Sequence, residues 1–294
     1  MIDRLEMFLA LARERHFGRA AEACGVTQPS LSSAIRQLED QLGVQLVIRG
    51  SRFQGLTPEG ERVLERARAI TADVRSLREE MRAVRHGLTG QLRIGVIPTA
   101  LPRIADLTAP FLHRNPGISV KIHSATSGEI LSRLQDHSLD AGLSYLDHEP
   151  LGKVAAIPLF QERYVLLSTP DGPVGRRSTA QWADLAGLPL CLLSSEMQNR
   201  RIINGHLTGA GLRTDAAIES NSVLALIAHV ATGHWHSVLP EALAAMVTGD
   251  PRLLALPLVA PDTAHRIGLI TPARDLHTPA LEALLVAARR LAAG

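Results

Sequence analysis

Apolar residues recur along this chain with distinct periods, and each period predicts a different element. Between 27 and 42, Leu31, Ile35, Leu38 and Leu42 fall at steps of four, three and four. That is the spacing of one face of an α-helix. The other face carries Gln28, Ser30, Ser33, Arg36 and Gln37, hydrogen-bonding groups able to reach base edges and phosphates. Thr27 suits the N-cap, and Pro29 suits the first turn, where its missing donor is not needed. Upstream, Leu5, Phe8, Leu9 and Ala12 share a face of a helix over 3–14, and 17–24 makes a second, short helix. Gly25 and Val26 predict a tight turn between the short helix and the polar-faced one. Two helices so joined make a helix-turn-helix; on spacing alone, a three-helix bundle without a ligand remains open.

Over 44–56 the period shortens to two. Val44, Leu46 and Ile48 alternate with polar positions, and Gly50-Ser51 sits where a hairpin turns. Arg49 and Arg52 flank that turn, suiting either backbone or minor-groove contact or simple solvation. Thr57-Pro58-Glu59-Gly60 then opens a helix running to about 86. Its apolar residues Val63, Ala67, Ile70, Val74, Leu77, Met81, Val84 and Leu88 repeat at 4-3-4-3-4-3-4. A sustained period of 3.5 predicts a left-handed coiled coil, hence a dimerisation helix and an operator with dyad symmetry.

Gly87 and Gly90 end that helix. Strands are expected at 92–97, 119–123 and 141–145, segments crossing towards a second lobe at 155–160 and 163–168, then strands at 189–193, 216–219, 236–239 and 253–257 and a return crossing at 266–270. Helices are expected from 100 to about 114 and at 127–136, 197–209, 222–232 and 279–291. Strands alternating with helices imply parallel βαβ units. Two such lobes joined by two crossings leave a cleft, where ligands meet strand ends and helix starts. The fold class is α/β with an N-terminal all-α winged helix-turn-helix, a long coiled-coil linker helix and a two-lobed effector domain. The expected boundaries are 1–58, 59–90 and 91–294, with lobe I at about 91–162 and 267–294 and lobe II at about 163–266.

Composition changes this picture little. The chain has 294 residues, a formal charge of +2 and only 3% aromatics, so its cores rest on Leu, Ile, Val and Ala. Residues 1–86 hold 14 Arg against 12 acids, while 87–294 hold 17 of each sign, which is compatible with nucleic acid at the N-terminal end. Cys24 and Cys191 fall in different expected domains, so no structural disulfide is expected. Charges interrupt the first apolar residues and no long apolar run occurs, so neither a signal peptide nor a membrane span is expected; the expected location is the cytoplasm.

The stretches Phe17-Gly-Arg-Ala-Ala-Glu-Ala, Val26-Thr-Gln-Pro-Ser-Leu-Ser, Ile35-Arg-Gln-Leu-Glu-Asp-Gln-Leu-Gly-Val-Gln-Leu and Leu56-Thr-Pro-Glu-Gly60 resemble the N-terminal signature of LysR-type transcriptional regulators. The match is dense over about the first 65 residues, and the layout agrees over the remainder. The resemblance implies a homotetramer built as a dimer of dimers on a double-stranded DNA operator, and no enzyme activity. It also implies a periplasmic-binding-protein-like effector domain, control of nearby genes, and RNA polymerase as a further partner. Arg49-Gly-Ser-Arg52 departs from the Phe-Glu-Arg that many members carry before the wing. Within the family, Pro98-Thr-Ala-Leu-Pro102, Leu190-Cys-Leu-Leu193, Met197-Gln-Asn-Arg-Arg201 and Glu219-Ser-Asn-Ser222 resemble a subgroup often encoded beside formate dehydrogenase genes.

The family's effector loops match Thr99-Ala100, Ser124–Ser127 and Met197–Arg200 here. Thr99, Thr126 and Ser127 offer hydroxyls, or else merely cap their own helices. Gln198, Asn199 and Arg200 offer donors from the other lobe, with at most one of Arg200 and Arg201 expected to point inward and the other, or both, to be a surface charge. Tyr145 and Asn221 follow strands and could close the site. Hydroxyls and free N–H groups at helix starts suit an anion, in the sharpest version a small carboxylate such as formate. His229, His234 and His236 lack the further ligands of a metal site, so no metal or cofactor is expected. Two other readings remain: a solute-binding protein whose helical N-terminus serves oligomerisation only, and an enzyme using the cleft.

Overall fold

The structure, a computed structural model, describes residues 1–48, 53–147, 149–175, 177–273 and 277–293. Arg49 and Arg52 lie outside the described residues. The chain divides into two compact units, one formed chiefly by Met1–Gly87 and the other by the chain from Leu88 onward.

The first unit begins with α1 (Ile2–Glu14), α2 (Phe17–Ala23) and α3 (Gln28–Leu42). Leu5, Phe8 and Leu11 of α1, Ala20 and Ala21 of α2, and Leu31, Ile35 and Leu38 of α3 share one core. Leu11, rather than Leu9 or Ala12, completes the buried stripe of α1. His16 caps α2 by accepting from the Arg19 N–H at 3.2 Å. Gly25 turns the chain at φ 68°, a backbone that strains other L-residues. Thr27 then caps α3, accepting from the Ser30 N–H. The wing is a short antiparallel contact between Val47 and Leu56. Buried Glu39 holds its base, its Oε1 accepting from the N–H groups of Leu46 at 2.8 Å and Val47 at 3.2 Å.

Helix α4 (Pro58–His86) opens on Thr57, which accepts from the Gly60 N–H and donates to the Gln45 carbonyl. Gly60 is required by contact, because a Cβ there would lie 2.1 Å from the Leu46 carbonyl oxygen. The expected seam divides. Val63 and Ala67 pack with Leu64 into the helix-turn-helix core. Ile70, Leu77, Met81 and Val84 are exposed in the single chain, Val84 by 81%.

The second unit carries β1 (Gly90–Val96), α5 (Leu101–Arg114), β2 (Ile118–Ser124), α6 (Ser127–Gln135), β3 (Ala141–Tyr145), β4 (Val154–Glu162) and β5 (Tyr164–Ser168). There follow β6 (Ala180–Gln181), β7 (Cys191–Leu193), α7 (Gln198–Gly209), β8 (Ile218–Ser220), α8 (Val223–Val230) and β9 (Ser237–Pro240). It ends with α9 (Glu241–Ala245), β10 (Leu254–Val259), β11 (His265–Pro272) and α10 (Pro279–Ala293). A short 3-10 turn at Pro98–Ala100, another at Trp182–Leu185, and the elements β6 and α9 are additions to the sequence-based expectation. The first sheet runs β2-β1-β3-β11-β4. Its first three strands are parallel, as alternation implies, but β11 and β4 join antiparallel, so the sheet is mixed. The second lobe has a four-stranded sheet, β6-β10-β5-β9, and the pair β7-β8.

Close packing sets the start of α6 at the cleft. Ile130 rests over two glycines, where a Cβ would come 2.9 Å (Gly95) and 2.4 Å (Gly142) from it. Among the described residues no helix is long and apolar enough to cross a membrane.

Candidate functional site

Two surfaces bear on function. The first is the outer face of α3. Gln28, Pro29, Ser30, Ser33, Arg36 and Gln37 are all exposed, while Leu31, Ile35 and Leu38 on the opposite side are sealed in the core. Thr27 and Ser30 bond each other through their hydroxyls at 2.8 Å, and Gln37 donates to Ser33 at 3.4 Å. The face therefore offers amides, hydroxyls and one guanidinium on a rigid helix, chemistry that suits base edges and phosphates.

The second surface is a small pocket of about 10 Å³, partly open to solvent. Its walls come from Ile97, Pro98, Thr99, Thr126, Ser127 and Tyr145 on one lobe and Leu193, Met197, Gln198 and Asn199 on the other. Six of the nine residues expected to bind an effector line it; Ala100, Arg200 and Asn221 do not. Ala100 is buried in the core behind the 98–100 turn. Asn221 is exposed beyond β8. Arg200 is buried but turned away: it donates to the carbonyls of Leu193 at 2.7 Å and Thr214 at 2.8 Å and to Asn204 Oδ1 at 2.8 Å, and it meets Glu219 at 2.9 Å. A long guanidinium with four oxygen partners behind the helix satisfies those oxygens, and the position is structural. Arg201 is partly exposed and pairs with Glu149 at 2.7 Å.

The lining hydroxyls and amides are engaged unequally. Thr126 is spent on a capping box, accepting from the Glu129 N–H and donating to its carboxylate. Gln198 donates to the Asp147 carbonyl across the cleft at 3.1 Å. Asn199 donates to the Tyr145 hydroxyl at 3.0 Å and the Tyr164 hydroxyl at 3.3 Å. Among the described residues its Oδ1 has no partner, nor has the buried Oγ of Ser127. Met197 gives α7 no side-chain cap, so the first N–H groups of that helix lack a side-chain acceptor there.

Beneath this wall lies a cluster built around an acid that local spacing does not single out. Tyr145 donates to the buried carboxyl of Glu162, and Thr99 lies 3.4 Å from the Tyr145 hydroxyl. Burial pushes Glu162 up to about 7, while hydrogen bonds from Tyr145, Tyr164, Thr99 and Asn199 pull it back. Both tyrosine hydroxyls are held well above their ordinary range, first by burial. Behind Tyr164, Trp182 stacks on His206 at 4.5 Å, and the Nε2 atoms of His206 and His265 are 3.2 Å apart. The crossing segment expected at 155–160 stops short of Glu162, and the local spacing around that residue does not mark it as buried.

The three histidines considered for metal serve packing roles or stand apart. His229 Nδ1 is 2.7 Å from the Ala225 carbonyl, His236 Nδ1 is 3.0 Å from Ser168 Oγ, and His234 is exposed.

A helix-turn-helix unit ahead of a two-lobed domain with a small polar pocket is the architecture of a DNA-binding regulator. Residues 2–61 match the family described as bacterial regulatory helix-turn-helix protein, lysR family, and residues 85–293 match LysR substrate binding domain. The chain belongs to the LysR family of transcriptional regulators. It is 33% identical over 288 residues to the DNA-binding transcriptional dual regulator OxyR of Escherichia coli, covering 96% of this chain and 94% of the relative. It is also 33% identical over 270 residues to a hydrogen peroxide-inducible genes activator of Pectobacterium carotovorum, covering 92% and 89%. Full-length OxyR from Pseudomonas aeruginosa superposes with a TM-score of 0.76 at 28% identity, covering 99% of this chain and 94% of that one. The protein is thus a DNA-binding transcriptional regulator and not an enzyme.

Proposed function

We propose that the outer face of α3 reads operator DNA, with Thr27, Gln28, Pro29, Ser30, Ser33 and Arg36 at the groove and Arg49 and Arg52 on the flanking backbone. The observation that carries this is the division of α3 into a sealed apolar face and a wholly exposed polar one. The apolar seam of α4, with exposed Ile70, Leu77, Met81 and Val84 and half-buried Val74, joins two copies, and the working form is a dimer or a dimer of dimers in the cytoplasm. The three functional regions are 1–58, 59–90 and 91–294. In gel shifts against the DNA upstream of its own gene, Arg36→Ala should weaken binding by about 1–3 kcal/mol, the range of a good base contact, with folding unchanged. Undiminished binding would overturn the assignment. Leu77→Glu should leave a monomer in sedimentation; a persisting dimer would refute the seam.

The pocket takes a small anion, a carboxylate with formate as the sharpest case, and its occupancy regulates adjacent metabolic genes. Support comes from Ser127 Oγ and Asn199 Oδ1, buried without partners among the described residues in a wall where two helices begin. Unmet polar atoms in such a wall favour a polar occupant. The names of relatives raise peroxide as a second signal. Peroxide acts on thiolates, yet burial pushes the Cys191 thiol up to about 11 and also raises Cys24. Both thiols are poorly suited to that chemistry. Calorimetry that finds no heat from formate or acetate would remove the carboxylate reading.

A further inference from the structure

Among the described residues, the wall of the pocket contains hydroxyls, amides and apolar groups but no charged side chain. An anion seated there would be held by helix starts and hydroxyls alone. One hydroxyl behind the wall stands a carboxyl: Tyr145 lines the pocket and donates to Glu162, which is 5% exposed. Among the described residues, the hydrogen-bond partners of that carboxyl are hydroxyls and an amide, and none is a cation. Two negative charges this close, in a wall shielded from water, disfavour each other's charged form.

We propose that effector binding is proton-linked, a small anion entering the pocket as Glu162 takes up one proton from solvent. This rests on the carboxylate reading of the pocket above. In the balance, the free protein's Glu162 carboxylate, one proton and one anion give a complex carrying a neutral Glu162 and the bound anion. Glu162 acts through Tyr145 and is a positioning residue. When its carboxyl is neutral, the Tyr145 hydroxyl is no longer held by a charge. It is then free to point its proton at an occupant.

The groups packed around Glu162 are compatible with this. The titratable ones are Tyr145 from β3, Tyr164 from β5, His206 from α7 and His265 from β11, which lies opposite Glu162 in the ladder. The two histidine Nε2 atoms are 3.2 Å apart, a contact that needs one of them unprotonated. The adjoining Arg163 is half exposed and pairs with Asp262. Burial holds the free carboxyl near neutrality, at about 7, so a small push from an anion changes its protonation in the ordinary pH range.

The test is calorimetric titration of the full chain with formate and with acetate, at about pH 6 and about pH 8. It is repeated near pH 7.5 in two buffers of different ionisation enthalpy. Apparent affinity should be nearly flat at the lower pH and fall by up to about tenfold per pH unit above about 7. The two buffers should report proton uptake of between zero and one. Glu162→Gln should bind with no pH slope, and Tyr145→Phe, which breaks the link but keeps the acid, should show a reduced slope. Binding by the wild-type chain that is flat with pH and releases or takes up no proton overturns the proposal while leaving the carboxylate reading intact. If neither carboxylate binds at either pH, the carboxylate reading fails and this proposal fails with it. The wild-type arms decide the matter even if a variant does not fold.

Discussion

The face of α3 and the wall of the cleft are built on opposite plans. On α3, every group offered to a partner is exposed, and the fold is secured by a different set of residues on the far side of the same helix. In the cleft, Thr99, Ser127, Tyr145, Gln198 and Asn199 line the pocket and are themselves buried or tied into the fold. Recognition and folding are separable in the first place and share atoms in the second. A substitution on the α3 face should therefore change binding alone, whereas one in the cleft should move stability and binding together, in directions set by each group's partners.

The largest effect is expected where the DNA-binding unit is tight, away from its reading face. Gly60→Ala would drive a Cβ to 2.1 Å from the Leu46 carbonyl oxygen. Overpacking against backbone has little room to relax, so about 3 kcal/mol of stability should be lost. Thermal melts should show the N-terminal unit unfolding early, with DNA binding lost as a consequence, while Arg36→Ala melts like the parent. A Gly60→Ala protein with an unchanged melt would mean the helix start can shift, and the division of labour would be weaker than the structure implies.

Nearly as large an effect should come from pH alone. Glu162 is raised from 4.5 in the unfolded chain to about 7 in the fold, mainly by burial. The folded chain thus holds this proton more tightly than the unfolded chain. The stabilisation is complete below about 4.5, declines between there and 7, and is gone above. At about 1.4 kcal/mol per unit, the span is roughly 3 kcal/mol. Denaturant midpoints of the effector domain's transition in the full chain should fall across that window, and Glu162→Gln should flatten the decline. An equal decline in the variant would assign it to other groups.

The contrast also explains what could be read from sequence. Amphipathic period exposed α1 to α3 and α4, because a helix with one sealed face records its burial at every third or fourth residue; at the wing the expected alternation of Val44, Leu46 and Ile48 fails, since the neighbours Leu46 and Val47 are buried while Val44 and Ile48 are exposed. The seam of α4 was visible but not its division, since Val63 and Ala67 obey the same period as Leu77 and Val84 while packing into the helix-turn-helix core. In the cleft, strand positions were legible, and resemblance placed most of the lining. Glu162, Tyr164 and the turned-away Arg200 were not, because a charged residue's burial depends on partners distant in the chain. Arg200 meets Leu193, Thr214 and Glu219, contacts with no signature in local spacing.

Arg200 offers a sharper test of that point. Arg200→Met keeps much of the volume but leaves the Leu193 and Thr214 carbonyls without their donor. Loss of about 2 kcal/mol of stability is expected, with carboxylate affinity preserved. The reverse pattern, a stable protein that binds carboxylate poorly, would restore Arg200 to the pocket and break the assignment made from its four partners.

Ser127 should give the smallest effect, and the one with opposed signs. Its Oγ is buried and without a partner in the wall of the pocket. Folding therefore strips water from a hydroxyl and returns nothing, a cost carried by the ligand-free protein. Ser127→Ala removes that cost, and Ser127 is not the cap of its helix, since Thr126 fills that role. Stability should hold or rise by up to about 1 kcal/mol, while affinity for a carboxylate falls several-fold. A melt lowered by the change would show that the hydroxyl has a partner in the resting protein. A gain in stability together with a loss of binding would mark a group held unsatisfied until the pocket fills, a behaviour the exposed face of α3 cannot show.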